Sequence, residues 1–299
     1  MKIILVGNME PLFSSESHYK WTLEHMGHIV IPFQENRTNA NEILDACKKS
    51  DCLFWVHTHS WSFPGENEIT PESIKIPSFS YHLDRYFGIG SREKDYLKHP
   101  SFHLDYFFST DGGNEDGWKA AGINHVYLPA GVVEYGAYMG TPKEPKIDIL
   151  FAGSTQYHAE YPFRPRMVAA LGYKYGNRFQ VRTGVRESPL NDLYASAKIC
   201  VGDHIFAGCP LYASDRLFET VGRGGFIIYP DTPGVTDLIP GLLTYQPQNI
   251  EDLISKIDYY LLEPQHDFER RHRMLLSFDW VRKNATYTQR LEKILEIVL

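Results

Sequence analysis

The densest run of chemistry-bearing side chains is Ser214-Asp215-Arg216-Leu217-Phe218-Glu219-Thr220-Val221-Gly222-Arg223-Gly224-Gly225-Phe226. Arg216 and Glu219 stand one helical turn apart, so a helix here sets a cation and a carboxylate on one face. Arginine offers a planar fork of donors that suits a diphosphate. A carboxylate only accepts hydrogen bonds and therefore suits the two vicinal hydroxyls of a ribose. The plainer reading is a surface ion pair on a glycine-terminated helix. A second candidate is Phe151-Ala152-Gly153-Ser154-Thr155, followed by Arg164 and Arg166. A glycine and hydroxyls at a strand end admit a phosphate close to the backbone, although a tight strand-to-helix turn uses the same residues. Histidines and carboxylates collect after other strands: His57-Thr58-His59, Tyr81-His82-Leu83-Asp84-Arg85, Asp111-Gly112-Gly113 and Asp203-His204. Such groups suit proton transfer. His57, His59 and His82 also form a conceivable metal set, and each residue taken singly is as readily structural.

All of these residues follow short apolar strands. Strands are expected at 2–6, 28–33, 53–56, 78–81, 106–109 and 125–128, and again at 147–152, 179–182, 199–201, 226–229 and 243–245. Helices are expected at 15–26, closed by Gly27, and at about 39–49, capped by Asn39 or Asn41. Others are expected at 164–173, 190–196, 214–223 and 250–262, with one long amphipathic helix over 280–299. The pattern breaks between Pro129 and Pro145, where glycines and prolines replace apolar periodicity. Alternating strands and helices on both sides of that break imply two doubly wound α/β halves with parallel sheets. In open α/β sheets ligands sit beyond the carboxyl ends of the strands, and two such sheets facing each other make an inter-domain site.

Composition narrows the classes. With 43% hydrophobic and 22% charged residues the 299-residue chain reads as globular, not disordered. A net charge of −7 argues against a broad electrostatic grip on nucleic acid, leaving at most a local strip of Arg85, Arg92, Lys94 and Lys98. The four cysteines lack the paired spacing of a zinc site and suit a reducing cytoplasm. Apolar runs such as Ile3 to Val6 are far shorter than a membrane span. The opening Met1-Lys2-Ile3-Ile4-Leu5-Val6-Gly7 reads as a first strand, not a secretion signal, so a cytoplasmic protein is expected. Gly7-Asn8-Met9 is no Gly-x-Gly-x-x-Gly fingerprint, which disfavours a dinucleotide cofactor. Trp55, Trp61 and Phe63, around His57, form either a stacking wall for a sugar or base, or ordinary core.

The segment Arg216-Leu217-Phe218-Glu219, then Gly224-Gly225-Phe226, then Pro233-Gly234, resembles the donor-side motif of GT-B glycosyltransferases. The likeness is greatest to a family-1/family-4-like, CgeB-type branch of bacterial and phage proteins. Asn284-Ala285-Thr286-Tyr287-Thr288-Gln289-Arg290 resembles the terminal signature of that branch. One departure stands out: many retaining members carry a second Glu eight positions after the first, and here that position is Ile227.

The resemblance implies two Rossmann-like domains facing each other across a cleft. These are an acceptor-side domain at 1–138, a nucleotide-sugar domain at 139–280, and a C-terminal helix at 281–299 packing back on the first. It implies transfer of a hexose or pentose from a nucleoside-diphosphate sugar to an acceptor hydroxyl, with no bound metal. Donor contacts fall on Gly153, Ser154, Arg164, Asp203, Arg216 and Glu219, with Gly224 and Gly225 allowing close approach and Tyr212 stacking on the base. A general base belongs in the first half, with His82 and Asp84 first, then His57 and His59, then Asp111. The acceptor ranges over a glycan, a protein, a small molecule and a modified phage DNA base. Two rival readings are a non-catalytic sugar-nucleotide or carbohydrate-binding protein and a nucleotide-sugar epimerase.

Overall fold

A computed structural model describes residues 1–155, 162–204 and 209–299, and the chain divides into two units: Met1–Pro129 with Tyr287–Leu299, and Ala130–Thr286. The divisions fall at 129 and 286, where the sequence suggested 138 and 280. Residues 130–138 belong with the second unit because they bind its own elements. Val132 N–H donates to Ala285 O at 2.8 Å, Val132 bridges to Thr286, and Asn191 Nδ2 donates to Gly136 O at 2.6 Å.

The first unit runs β1 (Lys2–Gly7), α1 (Ser15–His25), β2 (Ile29–Gln34), α2 (Ala40–Cys47), β3 (Cys52–Trp55), α3 (Pro71–Ile74), β4 (Ser78–His82), α4 (Gly90–Tyr96), β5 (Tyr106–Ser109), α5 (Glu115–Ala120) and β6 (His125–Tyr127). Its six strands are parallel in the order β2-β1-β3-β4-β5-β6. β3 and β4 are buried along their whole length, because helices cover both faces of a parallel sheet. The expected Asn39 cap is present, accepting from Glu42 N–H at the start of α2, and Ser14 accepts from Ser17 N–H at the start of α1. Trp55 and Phe63 belong to the core, so they offer no open stacking wall.

The second unit runs β7 (Ile147–Ala152), α6 (Phe163–Tyr175), β8 (Phe179–Arg182), α7 (Glu187–Ser196), β9 (Ala197–Val201), α8 (Asp215–Gly222), β10 (Ile227–Pro230), β11 (Leu243–Tyr245), α9 (Ile250–Leu262) and α10 (Asp267–Asn284). Its strands are parallel in the order β11-β10-β9-β7-β8. In both sheets the second strand crosses to one side of the first and the third strand to the other. That reversal lies between β1 and β3 in one sheet and between β7 and β9 in the other, and it is where such folds bind ligands.

The single helix expected over 280–299 is two. α10 stops at Asn284 and α11 (Tyr287–Val298) starts afresh, because Ala285 turns to φ −142°, ψ 47° while its carbonyl and Thr286 pair with Val132. α11 belongs to the first unit and packs on α1, with Tyr287 stacked on Tyr19 at 5.1 Å.

Candidate functional site

At the sheet reversal of the second unit, two arginines converge on one carboxylate. Asp203 lies just beyond β9 and is 2% exposed. Its Oδ2 accepts from Arg164 Nε of α6 at 2.8 Å and its Oδ1 from Arg216 Nη1 of α8 at 2.8 Å. The same guanidiniums hold the ends of the strands. Arg216 donates to Ala152 O at 3.1 Å and Asp203 O at 3.3 Å, and Arg164 donates to Ser154 O at 3.2 Å. Both lie over the Phe151 ring, at 5.1 Å and 5.7 Å from its centroid. Gly153 has to be glycine here, since a Cβ would stand 2.7 Å from Arg216 Nη2 at a φ of +152°. Gly153, Ser154, Arg164, Asp203 and Arg216, five residues drawn from three separate stretches of sequence, are thus brought together.

Glu219 is not in that group. Arg216 and Glu219 share α8 but point to different partners. Glu219 Oε2 takes Arg223 at 2.7–2.8 Å and its Oε1 accepts from Val133 N–H at 3.1 Å. Arg223 is buried and also donates to Asn191 Oδ1 at 2.6 Å. Gly224 and Gly225 end α8 in a Schellman turn, with Gly225 N–H bonded to Thr220 O and Gly224 N–H to Val221 O. The close approach they permit is taken up by the protein itself: a Cβ at Gly224 would meet Met139 at 2.9 Å, and one at Gly225 would meet Thr220 at 2.7 Å. Their assignment as donor-facing backbone is therefore corrected to a helix stop. Tyr212 is buried against His204, and His204 Nε2 lies 2.7 Å from Thr232 Oγ1. That leaves Tyr212 no open face for a base.

The corresponding reversal in the first unit holds a second centre. Glu35 follows β2 immediately and is fully buried. Its Oε1 accepts from Trp55 Nε1 at 2.9 Å and from His57 Nδ1 at 2.8 Å, and its Oε2 accepts from Thr58 N–H at 2.7 Å. The His57 ring stacks on His99 at 3.6 Å and meets Tyr96 edge-on. Glu16, at the start of α1, is also buried there. Desolvation raises its carboxyl above the ordinary value, and the charge of Glu35 adds to the effect.

The other base candidates fare differently. His82 is buried in an aromatic cage of Tyr86, Phe102 and Phe107, with Tyr86 OH 2.7 Å from its Nδ1. Burial, reinforced by the neighbouring His57, His99 and Arg92, pushes its pKa down to about 3. A ring so weakly basic and so enclosed takes no proton from an acceptor, and the assignment of His82 as base is corrected. Asp84 is 61% exposed and 3.3 Å from Arg92, an ion pair in solvent. Asp111 is fully buried and accepts from Tyr86 N–H and Phe87 N–H, so it clamps a loop. His59 is exposed and stacks on Tyr96. Glu35 was the residue sequence reasoning passed over. The rule that picked out His57, a polar side chain directly after a strand of a parallel sheet, applies to it equally. Among the described residues no three His, Cys, Asp or Glu side chains form a metal-binding group.

The fold is shared with solved glycosyltransferases of low sequence identity. Trehalose-6-phosphate synthase of Escherichia coli, bound with UDP-2-fluoro glucose, superposes with a TM-score of 0.69 at 9% identity, covering 100% of this chain and 99% of that one. Anabaena HepE in complex with UDP and glucose gives 0.64 at 10%, covering 99% and 100%. Phage T4 BGT in complex with its UDP-glucose substrate gives 0.59 at 14%, covering 100% and 99%. No curated protein matches the sequence. The fold is thus that of the GT-B glycosyltransferases. A family model described as glycosyl transferase-like matches residues 142–296, just over half the chain, and the chain belongs to that family. It is a glycosyltransferase.

Proposed function

We propose that the enzyme transfers a sugar from a nucleoside-diphosphate sugar to an acceptor hydroxyl, with the donor held by the second unit and the acceptor activated by the first. The observation that carries the donor assignment is the pair Arg164 and Arg216, fixed on Asp203 at the carboxyl ends of β7 and β9. Preset guanidinium donors are what a departing diphosphate needs, because its charge grows as the glycosidic bond breaks. Three relatives of the same fold were solved with UDP or UDP-sugars, which supports a nucleotide donor. Glu219 serves the ribose in this reading: Arg223 and Val133 N–H hold its carboxylate still, and its remaining lone pairs accept from vicinal hydroxyls.

On the acceptor side His57 is the base, since His82 is enclosed and Asp84 is paired in solvent. A net charge of −7 favours a neutral acceptor such as a glycan over DNA.

The test is a panel of UDP-, GDP-, ADP-, CDP- and dTDP-sugars read by melting temperature and by nucleotide release. A donor at a hundred times its Kd adds about 2.7 kcal/mol, a shift of a few degrees for a chain of this size. One nucleotide family giving both a shift and slow release supports the reading. Binding without release in the presence of candidate acceptors makes the chain a sugar-nucleotide-binding protein, and a free isomeric sugar nucleotide as product makes it an epimerase.

A further inference from the structure

β8 is an edge of the second unit's sheet, and its side chains alternate between two faces. Phe179 and Val181 pack into the core beneath α6. Gln180 and Arg182 face the other way, where α7 and the segment 138–147 leave a groove of about 480 Å³. That volume lies in the range of small-ligand sites. The groove runs from Ile147, the first residue of β7, to Arg182, the last of β8, and every described residue lining it belongs to the second unit. Its outer wall is tethered to α7: Tyr138 N–H donates to Asn191 Oδ1 at 3.3 Å, Thr141 N–H to Asp192 Oδ1 at 3.0 Å and Lys143 N–H to Ser196 Oγ at 2.8 Å. Those bonds fix the wall before any ligand arrives, which cuts the ordering cost of binding. The lining narrows the ligand. Lys143 and Arg182 stand against Glu144 and Asp192, so the groove carries no net charge in a chain whose net charge is −7. Lys143 is already paired with Asp192 at 2.5 Å. A neutral ligand fits this balance better than a phosphate or a nucleic acid does. Tyr138 is 51% exposed, with Tyr135 and Met139 exposed close by, and such a patch beside a groove marks a contact surface. Pro145, Val185, Pro189 and Leu193 add apolar walls. Arg182 Nη2 donates to Gln180 Oε1, which leaves the Gln180 amide nitrogen to donate to a ligand. An amide, a guanidinium and a carboxylate can each reach two adjacent hydroxyls at once. A sugar ring, apolar on its face and hydroxylated around its edge, meets all of these demands.

Resting on the transferase reading above, we propose that the groove between β8 and α7 binds a neutral oligosaccharide, holding a glycan acceptor through sugars other than the one that reacts. Its side chains are separate from the Asp203 centre: none of Gly153, Ser154, Arg164, Asp203 and Arg216 lines it. The two are joined only through backbone, where Gly153 N–H donates to Arg182 O at 2.9 Å. One ring lays its apolar face on Tyr138, and hydroxyls of that ring and its neighbour take Gln180, Arg182 and Asp192. An open groove along two strands accepts a chain, so affinity rises with chain length and a single hexose binds weakly.

The experiment uses the whole chain and soluble neutral sugars: glucose, its α-1,4- and β-1,4-linked tetramers, N-acetylglucosamine and its β-1,4-linked tetramer. Isothermal titration reads the affinities. At least one tetramer should bind about tenfold or more tightly than its monomer. Its affinity should hold between about 0.05 and 0.5 M salt, because an uncharged ligand has no charge to screen. It should also hold in saturating UDP. Tyr138→Ala should weaken the tetramer about tenfold, the worth of one aromatic partner. Tyr173→Ala, which removes a 96% exposed tyrosine from α6, should change nothing. Both side chains are at the surface, so both variants should fold, and wild-type melting temperatures and UDP affinities check this. Failure of every tetramer to bind would overturn the proposal. Equal losses from the two tyrosine variants would also overturn it, as binding to any exposed aromatic ring. Displacement of the tetramer by UDP, or loss of UDP affinity in Tyr138→Ala, would give the groove to the nucleotide instead. Equal binding of a neutral peptide of Ser, Gly and Ala would make it a peptide groove. The transferase reading is tested apart from all of these. Absence of melting shift and release with every sugar nucleotide would overturn that reading, whereas nucleotide release without tetramer binding would overturn the groove proposal alone.

Discussion

Asp203 and Glu219 show how two carboxylates on neighbouring segments carry different burdens. Asp203 is buried with Arg164 and the partly buried Arg216, and removing its charge leaves two neighbouring guanidiniums, one of them buried, without their shared counter-charge. Asp203→Asn should therefore cost stability, about 3–5 kcal/mol by the usual penalty for breaking a buried pair. Denaturant titration measures it, and a loss under 1 kcal/mol would mean the arginines find other partners. Arg216→Ala works on function instead. It should lower kcat/KM far more than Arg271→Ala, whose guanidinium is 67% exposed on α10; equal small losses would remove Arg216 from the donor site. Glu219→Ala should weaken nucleotide affinity if the carboxylate holds the ribose, and isothermal titration with UDP decides this. Unchanged affinity would leave Glu219 as the partner of Arg223 and nothing more.

Among the elements, local signals were read well and long-range ones were not. β7, β8, β11 and α9 fall where the apolar runs place them, because those signals lie within a few residues of each other. The break after Asn284 was hidden, since its cause is Val132, far away in sequence. The first turns of α10 were also missed; Asp267, Glu269, Arg270, Arg271 and Arg273 make that stretch too polar to show an apolar stripe. The residues around Asp203 were named from sequence, but their mutual pairing was not, because i,i+3 spacing suggested Arg216 with Glu219, whereas Arg216 pairs with the distant Asp203 and Glu219 with Arg223, four residues on. Two glycines test how tightly the elements fit. The segment 136–143 is strapped to α7 through Asn191, Asp192 and Ser196, and a Cβ at Gly140 would collide with the Asn191 carbonyl. Backbone cannot yield as a side chain does, so Gly140→Ala should cost about 3 kcal/mol. Gly172 lies in α6 with open space around its Cβ position, so Gly172→Ala should add about 0.5–1 kcal/mol. Thermal melts of the two variants should move in opposite directions; a shared direction would contradict the packing described for the 136–143 strap.

At the scale of the whole molecule, acid should act on one unit before the other. His82 and His99, both in the first unit, are held neutral to about pH 3 by burial, against an ordinary value of 6.5. His125, in the same unit, is lowered by burial as well. Once unfolded, these rings take up protons near pH 6.5. Between 6.5 and 3 the unfolded chain therefore binds more protons, so their contribution is complete above 6.5 and is lost as pH falls, by up to about 1.4 kcal/mol per pH unit for each ring. Glu16 opposes them, because a carboxyl raised by burial loses its penalty as pH falls toward its folded value. Two strongly depressed rings outweigh one carboxyl, leaving a net loss of about 2–4 kcal/mol in the first unit between pH 7 and pH 5. In the second unit the lowered carboxyls of Asp192, Asp252, Asp267 and Glu269 keep their charge at pH 5. Amide hydrogen exchange resolves the two. Protection of β3, β4 and β5 should fall on moving from pH 7 to pH 5, after correction for the intrinsic exchange rate, while β7, β9 and β10 hold theirs. The tryptophans give a simpler check, since Trp55 and Trp118 are buried in the first unit, and their emission should shift at a lower melting temperature at pH 5. Equal loss of protection in both sheets would mean that the buried histidines do not set the acid limit of the fold.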